Sequence, residues 1–443
     1  MPSTREGRRL RLGRATTLRA AFLVAIALLL LPAAGNARTD AKAGPTAASC
    51  QLQVFSWWTG GGEAAGLTKL IAIWNRTNAT CKFKNETVAG GAGTNAKAVL
   101  AQRLAAKKPP DSFQGHAGAE LRDYIRAGQV ENLDFIYKQY GFDKVMPKQL
   151  INQITYNGHL YSVPVNIHRA NILWFNPSVL QKAGIASPPT TWSQFIAALD
   201  KAKAAGVIPL ALGEQWTQQH LLETVMIATI GPTRWAALWR KGANWNAPGV
   251  TLALNRFKTL LTYTNPDAAS LTWQDAGKLV ADGKAAFNVM GDWQDGYFSG
   301  TKAGGNLALK PRTAYNWTAV PGTTNVYVWL SDSFTLPKGA PHRSAAVKWL
   351  GFLGSRLAQD TFNPVKGSIP ARQDATARLY GPYLKWALTQ WRKDTLAGSL
   401  THGVVAPNAW ATDIGTALGL FLQSKDVKAF QTALASAAKK ATS

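Results

Sequence analysis

Short apolar runs alternate with amphipathic stretches along the chain from Cys50 onward. The run QLQVFSW is typical of a strand, a glycine turn follows it, and residues 63–74 repeat apolar side chains at helical spacing. The same order returns in KFKNETVAGG and residues 94–108, where Thr94 is suited to begin a helix that a Pro-Pro pair ends. Strands that alternate with helices in this way predict an α/β architecture with mainly parallel sheets.

A second lobe is predicted to begin near Pro164. The stretch GHLYSVPVNIHRANILWFN predicts two strands joined by a bend at that proline, with no linker loop between them. Beyond it, Thr191 and Gln194 match a helix-capping box, and VIPLALG predicts the following strand. AAFNVMGDW and NVYVWLSDSFTLP predict further strands, and a long helix over 342–361 and a last amphipathic helix follow them. A length of 443 residues agrees with two lobes.

Residues 1–37 match a signal peptide for export. A basic segment precedes the apolar run AAFLVAIALLLLPAA, and the small residues Gly35-Asn36-Ala37 suit a cleavage site. The apolar run has about a dozen residues before Pro32, fewer than the roughly 20 that a membrane-spanning helix needs. We therefore expect a soluble mature protein in the periplasm or another extracytoplasmic compartment. Arg8-Arg9 leaves a twin-arginine signal open, although its flanking residues fit that signal poorly.

Cys50 and Cys81 are the two cysteines of the chain. Each begins a strand-like run, and a helix-like run separates them, so the two strand starts are expected side by side in a parallel sheet. That arrangement brings the cysteines within reach of a disulfide, which persists in an exported protein. A lipid anchor on Cys50 is the alternative, but this cysteine lies well beyond the apolar run.

The net charge is +25, from 49 basic and 24 acidic residues. A surplus of this size can indicate nucleic acid or an anionic membrane as the partner. The basic residues are spread along the chain without a run, and no recognition-helix, RNA-binding or zinc-finger pattern accompanies them. We therefore interpret the charge as a contribution to solubility and expect no nucleic-acid partner, with a basic surface-binding protein as a remaining alternative.

The sequence gives little support for a cofactor site, a metal site or a catalytic nucleophile. Gly91–Ala96 matches the dinucleotide-binding glycine pattern, with Asp111 near the spacing of a ribose-binding acid, but its position after the second strand suits a tight turn better. The six histidines show no metal-ligand spacing, and no nucleophile elbow occurs. We therefore expect no cofactor, no metal and no catalysis. A secreted carbohydrate-active hydrolase with Asp292 and Asp332 as its carboxylate pair stays open as the alternative.

Aromatic and hydrogen-bonding residues recur together at predicted strand ends and turns, where open α/β sheets bind ligands. A sugar needs this mixture, because its C–H faces pack on aromatic rings while its hydroxyls need donors and acceptors. Seventeen tryptophans are available as rings. The candidate residues are Trp57, Trp58, Glu63, Gln114, His116, Gln215, Trp216, Asp292, Trp293, Asp332, Lys366 and His402.

Six segments are specific when taken together and in order, although no single one is. They are FSWWTGGGEAAGL at Phe55, PVNIHRANILWFN at Pro164, GKAAFNVMGDW at Gly283, SDSF at Ser331, KGSIPAR at Lys366 and LTHG at Leu400. Over essentially the whole mature chain, this pattern resembles the extracellular solute-binding proteins of sugar ABC transporters, in particular the glucose- or mannose-binding branch of solute-binding protein family 1.

The resemblance implies a two-lobed periplasmic-binding-protein fold of type II, with a ligand cleft between the lobes and no reaction catalysed. The lobes would comprise residues 38–164 plus 331–390 and residues 165–330 plus 391–443. The implied ligand is a monosaccharide, glucose or mannose, and the implied partners of the monomer are ABC permease subunits and their cytoplasmic ATPase. A chemoreceptor is a compatible further partner. By matching position, the implied sugar contacts are Trp57, Trp58, Glu63, Asp332, Lys366 and His402, with Trp216 and Trp293 as stacking or cleft-wall aromatics.

One position departs from the pattern of the branch. His116 stands where the branch usually has lysine, which leaves the identity of the sugar open. A shorter, titratable side chain is expected to change which hydroxyl is held and to make binding depend on pH. The implied closing motion would use hinges near Val165, Leu330 and residues 385–398.

Overall fold

The structure is a computed structural model and describes residues 50–442. Strands in this range are β1 (Cys50–Ser56), β2 (Cys81–Thr87), β3 (Ser112–His116), β4 (Thr155–Tyr156), β5 (His159–Leu160), β6 (Val163–Pro164), β7 (His168–Arg169), β8 (Ile172–Phe175), β9 (Ile208–Ala211), β10 (Ala285–Met290), β11 (Asn316–Ala319), β12 (Val326–Leu330), β13 (Asp332–Thr335) and β14 (Thr395–Gly398).

Helices alternate with these strands over most of the chain. They are α1 (Gly61–Thr77), α2 (Thr94–Ala105), α3 (Ala119–Arg126), α4 (Asp134–Tyr140), α5 (Lys148–Ile154), α6 (Pro177–Lys182), α7 (Trp192–Ala204), α8 (Gln215–Ala237), α9 (Pro248–Leu261), α10 (Trp273–Ala281), α11 (Trp293–Ser299), α12 (Arg343–Leu353), α13 (Arg356–Lys366), α14 (Pro382–Lys393), α15 (Asn408–Ser424) and α16 (Val427–Thr442). Short 3₁₀ turns lie at Gly91–Gly93, Phe142–Lys144, Ala268–Ser270, Lys302–Gly304 and Ala377–Leu379.

The predicted signal peptide at residues 1–37 lies outside the described residues. Between residues 50 and 442, no helix combines the length and the apolar character needed to cross a lipid bilayer.

The first sheet has five strands in the order β2-β1-β3-β13-β6. β1 runs parallel to β2 and to β3, as the repeated strand–helix–strand pattern predicted. β13 is distant in sequence and pairs antiparallel with β3, in a register that sets Asp332 opposite His116. This strand therefore carries a late segment of the chain into the first sheet and sets two predicted site residues side by side.

The other large sheet has four strands in the order β11-β8-β10-β9, and a three-stranded sheet has the order β14-β12-β7. β10 is parallel to β9 but antiparallel to β8. The α/β class is confirmed, whereas the sheets are mixed instead of mainly parallel. The reason is that β8 and β13 each follow directly after a strand of the three-stranded sheet. They enter the larger sheets antiparallel to their neighbours there, β8 beside β10 and β13 beside β3.

Most local signals are confirmed, with three exceptions. Thr94 is the first residue of α2 and does not cap it, and the last predicted helix is divided into α15 and α16. Thr191 caps α7 in a capping box with Gln194. The helix predicted over 342–361 is instead two helices, α12 and α13, because Ser355 caps a new helix by accepting a hydrogen bond from the backbone N–H of Ala358 at 3.2 Å.

The predicted disulfide is present. Cys50 and Cys81 are directly paired in the parallel register of β1 and β2, and a disulfide joins them across a sequence separation of 31 residues. It therefore closes the first strand–helix–strand unit of the sheet.

Removing the disulfide should lower stability without touching the site. Replacing both Cys50 and Cys81 with Ser should lower the free energy of unfolding by about 3 kcal/mol, because the unfolded chain regains the freedom that a loop of this length loses. Urea unfolding followed by tryptophan fluorescence measures the effect. Reduction of the unmodified protein should produce a similar loss and leave the double variant unchanged; equal unfolding midpoints with and without the disulfide would contradict the prediction.

Candidate functional site

A cavity of about 370 Å³ lies where strands of the sheets end. Its wall brings together predicted residues from segments that are far apart in sequence. The predicted residues that line it are Trp57, Glu63, His116, Trp216, Trp293, Asp332, Lys366 and His402.

Trp58 is not part of this wall, and its predicted sugar contact is not supported by the geometry. Its ring centroid lies 4.5 Å from that of Phe362 and 5.4 Å from that of Phe334, and the side chain is fully buried. Neighbouring side chains along an extended chain point in opposite directions. Trp57 therefore faces the cavity, 5.0 Å from the ring of His116, while Trp58 faces the core.

Asp332 is the most heavily hydrogen-bonded acid of the wall. Its carboxylate accepts hydrogen bonds from Gln114 Nε2 at 2.9 Å and from Asn166 Nδ2 at 2.7 Å. Burial by itself would raise the pKa of Asp332, but a hydrogen bond from His168 and the charge of Lys366 outweigh it and hold the pKa far below its usual range. Asp332 is therefore an anion in the interior. Gln114 links Asp332 to the backbone beside the cavity, because its Oε1 also accepts a hydrogen bond from the backbone N–H of Trp57 at 3.2 Å.

His168 is a site residue that the sequence analysis missed. This buried imidazole donates from Nδ1 to the carboxylate of Asp292, and its Nε2 lies 3.3 Å from the carboxylate of Asp332. Burial by itself would lower the pKa of His168, but the charge of Asp292 and the hydrogen bonds to Asp292 and Asp332 together outweigh it and raise the pKa. No local spacing marks this role, because the two partners are 124 and 164 residues away.

The position of Asp292 does not support the hydrolase alternative. One oxygen of its carboxylate accepts from His168, and the other accepts from the backbone N–H of Arg169 at 2.9 Å. The cavity is lined by Asp332 but not, among the described residues, by Asp292. A glycosidase needs both carboxylates beside the scissile bond. Here the imidazole of His168 stands between them.

Lys366 and Glu63 form an ion pair at the wall, with Lys366 Nζ 2.7 Å from Glu63 Oε1. Glu63 lies in the first turn of α1 and Lys366 is the last residue of α13. One glycine permits the close approach of these helix ends, and a second ends α13 in a left-handed conformation. A Cβ at Gly62 would lie 2.4 Å from the carbonyl oxygen of Val365, and Gly367 has a φ of 85°.

His116 is held by a buried acid that the sequence analysis also missed. Its Nδ1 lies 2.8 Å from Glu120 Oε2, and Lys97 Nζ lies 2.7 Å from the same oxygen. Burial by itself would raise the pKa of Glu120, but the charges of Lys97 and His116 outweigh it and lower the pKa to about 2. The carboxylate therefore fixes the proton of His116 on Nδ1, while Nε2 lies on the side of Asp332, 3.9 Å from its Oδ1.

His402 is a neutral imidazole, in contrast to His168. Burial, the charge of His116 and then that of His220 lower its pKa well below the usual value, and burial lowers the pKa of His220 to about 4. His220 Nε2 donates to the carbonyl oxygen of Ala170 at 2.8 Å, so its Nδ1 is an acceptor, 3.4 Å from His402 Nε2. The proton of neutral His402 is therefore on Nε2, which faces His220. Its Nδ1 carries no proton and can accept a hydrogen bond from a hydroxyl.

The loop that carries His402 is fixed by Glu223 of α8. The carboxylate accepts hydrogen bonds from the backbone N–H groups of Leu400 at 2.6 Å and Thr401 at 2.9 Å, and from Ser399 Oγ at 2.8 Å. Burial raises the pKa of Glu223 to about 7 although these hydrogen bonds lower it. A single buried side chain thus sets the backbone of the loop beside the cavity.

Aromatic rings form the remaining wall. The ring centroids of Trp216 and Trp293 lie 6.2 Å apart, and that of Trp293 lies 5.1 Å from His402. Trp216 Nε1 donates to Glu214 Oε1 at 2.8 Å, which fixes the plane of the indole. The cavity therefore combines flat apolar surface with buried charged and neutral hydrogen-bonding groups, an arrangement suited to a small polyhydroxylated ring.

Comparisons with known proteins agree with this geometry. Residues 58–360 match the family model described as bacterial extracellular solute-binding protein. An uncharacterised ABC transporter extracellular-binding protein of Pyrococcus horikoshii is 38% identical over 88% of this chain and 88% of its own length. A probable sugar-binding periplasmic protein of Brucella suis is 34% identical over 86% of this chain and 91% of its own length.

The fold is also found in solved structures. The bacterial solute receptor AcbH, described as having an exclusive preference for β-D-galactopyranose, superposes with a TM-score of 0.76 at 20% identity, over 89% of this chain and 98% of its own. This likeness confirms the two-lobed fold that the sequence resemblance implied.

Replacing His168 with Ala should destabilise the protein in a pH-dependent way. The buried carboxylate of Asp292 would lose the imidazole that pairs with it, which should lower the free energy of unfolding by about 3 kcal/mol where that imidazole is protonated. Because the pKa of His168 is raised in the folded state from its usual value of 6.5, the stability that its protonated form contributes is full below that value and is lost as the pH rises, so the deficit should be larger at pH 5 than at pH 8. Urea unfolding at the two pH values measures both effects.

Two further variants serve as controls for this result. His159, which pairs with Asp134 at the surface, can be replaced with Ala at an expected loss below about 1 kcal/mol. Adding Asp292→Asn to His168→Ala should recover part of the stability at pH 8. Equal losses for the single and the double variant would show that the charge of Asp292 is not the cause.

Proposed function

Since this chain belongs to the family of bacterial extracellular solute-binding proteins, we propose that it captures a monosaccharide, glucose or mannose, and delivers it to the permease of an ABC importer. The sugar occupies the cavity lined by Trp57, Asp332 and Lys366 and leaves it chemically unchanged. The protein acts as a monomer in the periplasm or an equivalent extracytoplasmic space.

The observation that carries this proposal is the pairing of flat rings with buried charges in one cavity. The indoles of Trp57, Trp216 and Trp293 offer surface for the C–H faces of a pyranose. The buried charges of Asp332 and Lys366 offer strong hydrogen bonds to hydroxyls, which an apolar ligand would leave unpaired. A volume of about 370 Å³ lies at the lower end of the range for small-molecule sites and suits one sugar ring.

Sugar capture is coupled to closure of two lobes, residues 38–164 plus 331–390 and residues 165–330 plus 391–443. The strand order supports two of the hinges: β6 ends at Pro164 in the first sheet, and only Ser331 separates β12 of the three-stranded sheet from β13 of the first. The ligand shifts the population toward the closed form, because it contacts groups of both lobes at once.

We place the third hinge slightly before the range proposed from sequence, which moves the boundary of the first lobe from residue 390 to just before Pro382. Tyr383 on α14 packs against Trp174 of β8, with ring centroids 4.9 Å apart, so α14 already belongs with the second large sheet. This contact favours a crossing just before residue 382 rather than within 385–398.

The sugar specificity depends on His116. Its imidazole replaces a lysine of the resembling branch, and the ion pair of Glu120 with Lys97 supplies a cation behind it. Calorimetry on the mature protein, freed of bound sugar by unfolding and refolding, tests the function with glucose, mannose, galactose, xylose and maltose. Stoichiometric binding of a hexose at micromolar strength, about −8 kcal/mol, supports the proposal. Binding of none of these sugars by the intact refolded protein would contradict it.

The two adjacent tryptophans should respond in opposite ways. Trp57→Ala should weaken sugar binding at least tenfold with little change in the melting temperature, because the ring lies in the cavity wall. Trp58→Phe should lower the melting temperature and leave the affinity within about twofold, since this ring packs in the core. Calorimetric titration and thermal unfolding of both variants give the comparison. Loss of affinity from Trp58→Phe alone would reverse the assignment of the two rings.

Glu120→Gln should weaken binding through His116. The neutral amide removes the negative charge that pairs with both His116 and Lys97, so we expect an affinity loss of about tenfold, or 1.4 kcal/mol. Glu131→Gln is the matched control, because Glu131 pairs with Arg343 near the surface, away from the cavity. Calorimetry between pH 5.5 and 8 should show no effect of the control. An unchanged affinity in Glu120→Gln would reject the role of Glu120.

A further inference from the structure

A second cavity, of about 220 Å³, lies between α5, the segment 369–380 and α14. Among residues 50–442, it shares no lining residue with the proposed sugar cavity. The two cavities are nevertheless close along the chain, since Lys366 lines the first and Ile369 lines the second. This space is therefore separate from the sugar cavity but connected to it through the end of α13.

The walls of the second cavity are tied to the strands where the chain crosses between the two proposed lobes. Ile369 exchanges two backbone hydrogen bonds with Ile167, which lies between β6 and β7. Trp391 packs edge-on against Trp329 of β12, with ring centroids 6.1 Å apart. Since α5 and the segment 369–380 belong to the first proposed lobe and α14 to the second, a change in the angle between the lobes changes the width of the cavity.

One part of the wall is apolar. The half-buried indole of Trp391 lines the cavity together with Leu388, Ile369 and Pro370. The ring of Tyr327 packs edge-on against this indole, with centroids 5.3 Å apart, and helps to fix its position. An apolar cavity of about 150 Å³ holds one benzene ring, so the space here accommodates a six-membered ring with one small substituent.

The other part of the wall is basic. Arg372 is already held in place, because its Nε and Nη2 donate to the carboxylate of Asp374 at 2.8 Å and 2.7 Å and its Nη1 donates to the carbonyl oxygen of Gly354 at 2.9 Å. Arg392 also lines the cavity, and within residues 50–442 no acidic side chain pairs with it. A guanidinium group binds a carboxylate through two parallel hydrogen bonds. The cavity therefore offers an apolar space beside an available cation.

We propose that this cavity binds a small aromatic carboxylate and that its occupation strengthens sugar binding. The ring packs against Trp391, and the carboxylate pairs with Arg392. Because residues of both proposed lobes contact this ligand, it stabilises the lobe arrangement in which the sugar cavity is formed. Coupling between two sites is reciprocal, so the sugar strengthens binding of the carboxylate by the same factor. The coupling rests on the proposed function, whereas the carboxylate site does not.

Calorimetric titration of the refolded mature chain with benzoate tests the site, and benzamide serves as the uncharged analogue of similar shape. Benzoate should bind with a stoichiometry of one and at least tenfold more tightly than benzamide. Arg392→Gln should weaken benzoate binding at least fivefold. Lys393→Gln is the matched control, because this neighbouring exposed lysine does not line the cavity, and it should leave the affinity within twofold.

Titrations of glucose and mannose with saturating benzoate, or with sodium chloride at the same ionic strength, test the coupling. Benzoate should lower the dissociation constant of the bound sugar at least threefold. Absence of benzoate binding, equal binding of benzamide, or equal losses in Arg392→Gln and Lys393→Gln would reject the site while the proposed function stands. A sugar affinity that stays constant or falls with benzoate bound would reject the coupling. If benzoate binds but no sugar does, the proposed function falls and the carboxylate site stands.

Discussion

The site depends on the compensation of buried negative charge at Asp332. A carboxylate withdrawn from water is unfavourable by several kcal/mol unless charged or hydrogen-bonding partners surround it. Asn166, Gln114 and His168 supply those partners, and His168 carries the connection onward to Asp292. Because Asp332 begins β13 and Asp292 follows β10, this chain of contacts ties the ends of strands from both large sheets. The cavity lies where these strand ends are held together.

The buried histidines differ in the direction of their pKa shifts because their surroundings differ. His168 lies against the carboxylate of Asp292, so its pKa is raised, whereas burial lowers the pKa of His402 and of His220. The cavity therefore faces a ligand with a charged network on one side and a neutral imidazole on the other. A polyhydroxylated ring can use both, because each hydroxyl donates one hydrogen bond and accepts others.

Close backbone approach is the second condition for the site. Gly62 lets the ends of α1 and α13 meet, which joins Glu63 to Lys366 across 303 residues of sequence. Gly91 likewise brings a 3₁₀ turn against Trp216 at the wall of the cavity. In each case a side chain larger than hydrogen would separate the groups that line the wall.

The sequence by itself determined the elements that depend on neighbours in the chain. Apolar periodicity predicted the first strand–helix–strand unit and hence the pairing of Cys50 with Cys81, and the Thr191 capping box began its helix as expected. The family resemblance identified most of the predicted residues that line the cavity, but it did not show that Trp58 faces the core. Only the tertiary structure decided the mixed strand order, the break between α12 and α13, and the roles of His168 and Glu120. Periodicity and capping act over a few residues, whereas these features depend on contacts between segments that become neighbours only when the sheets assemble.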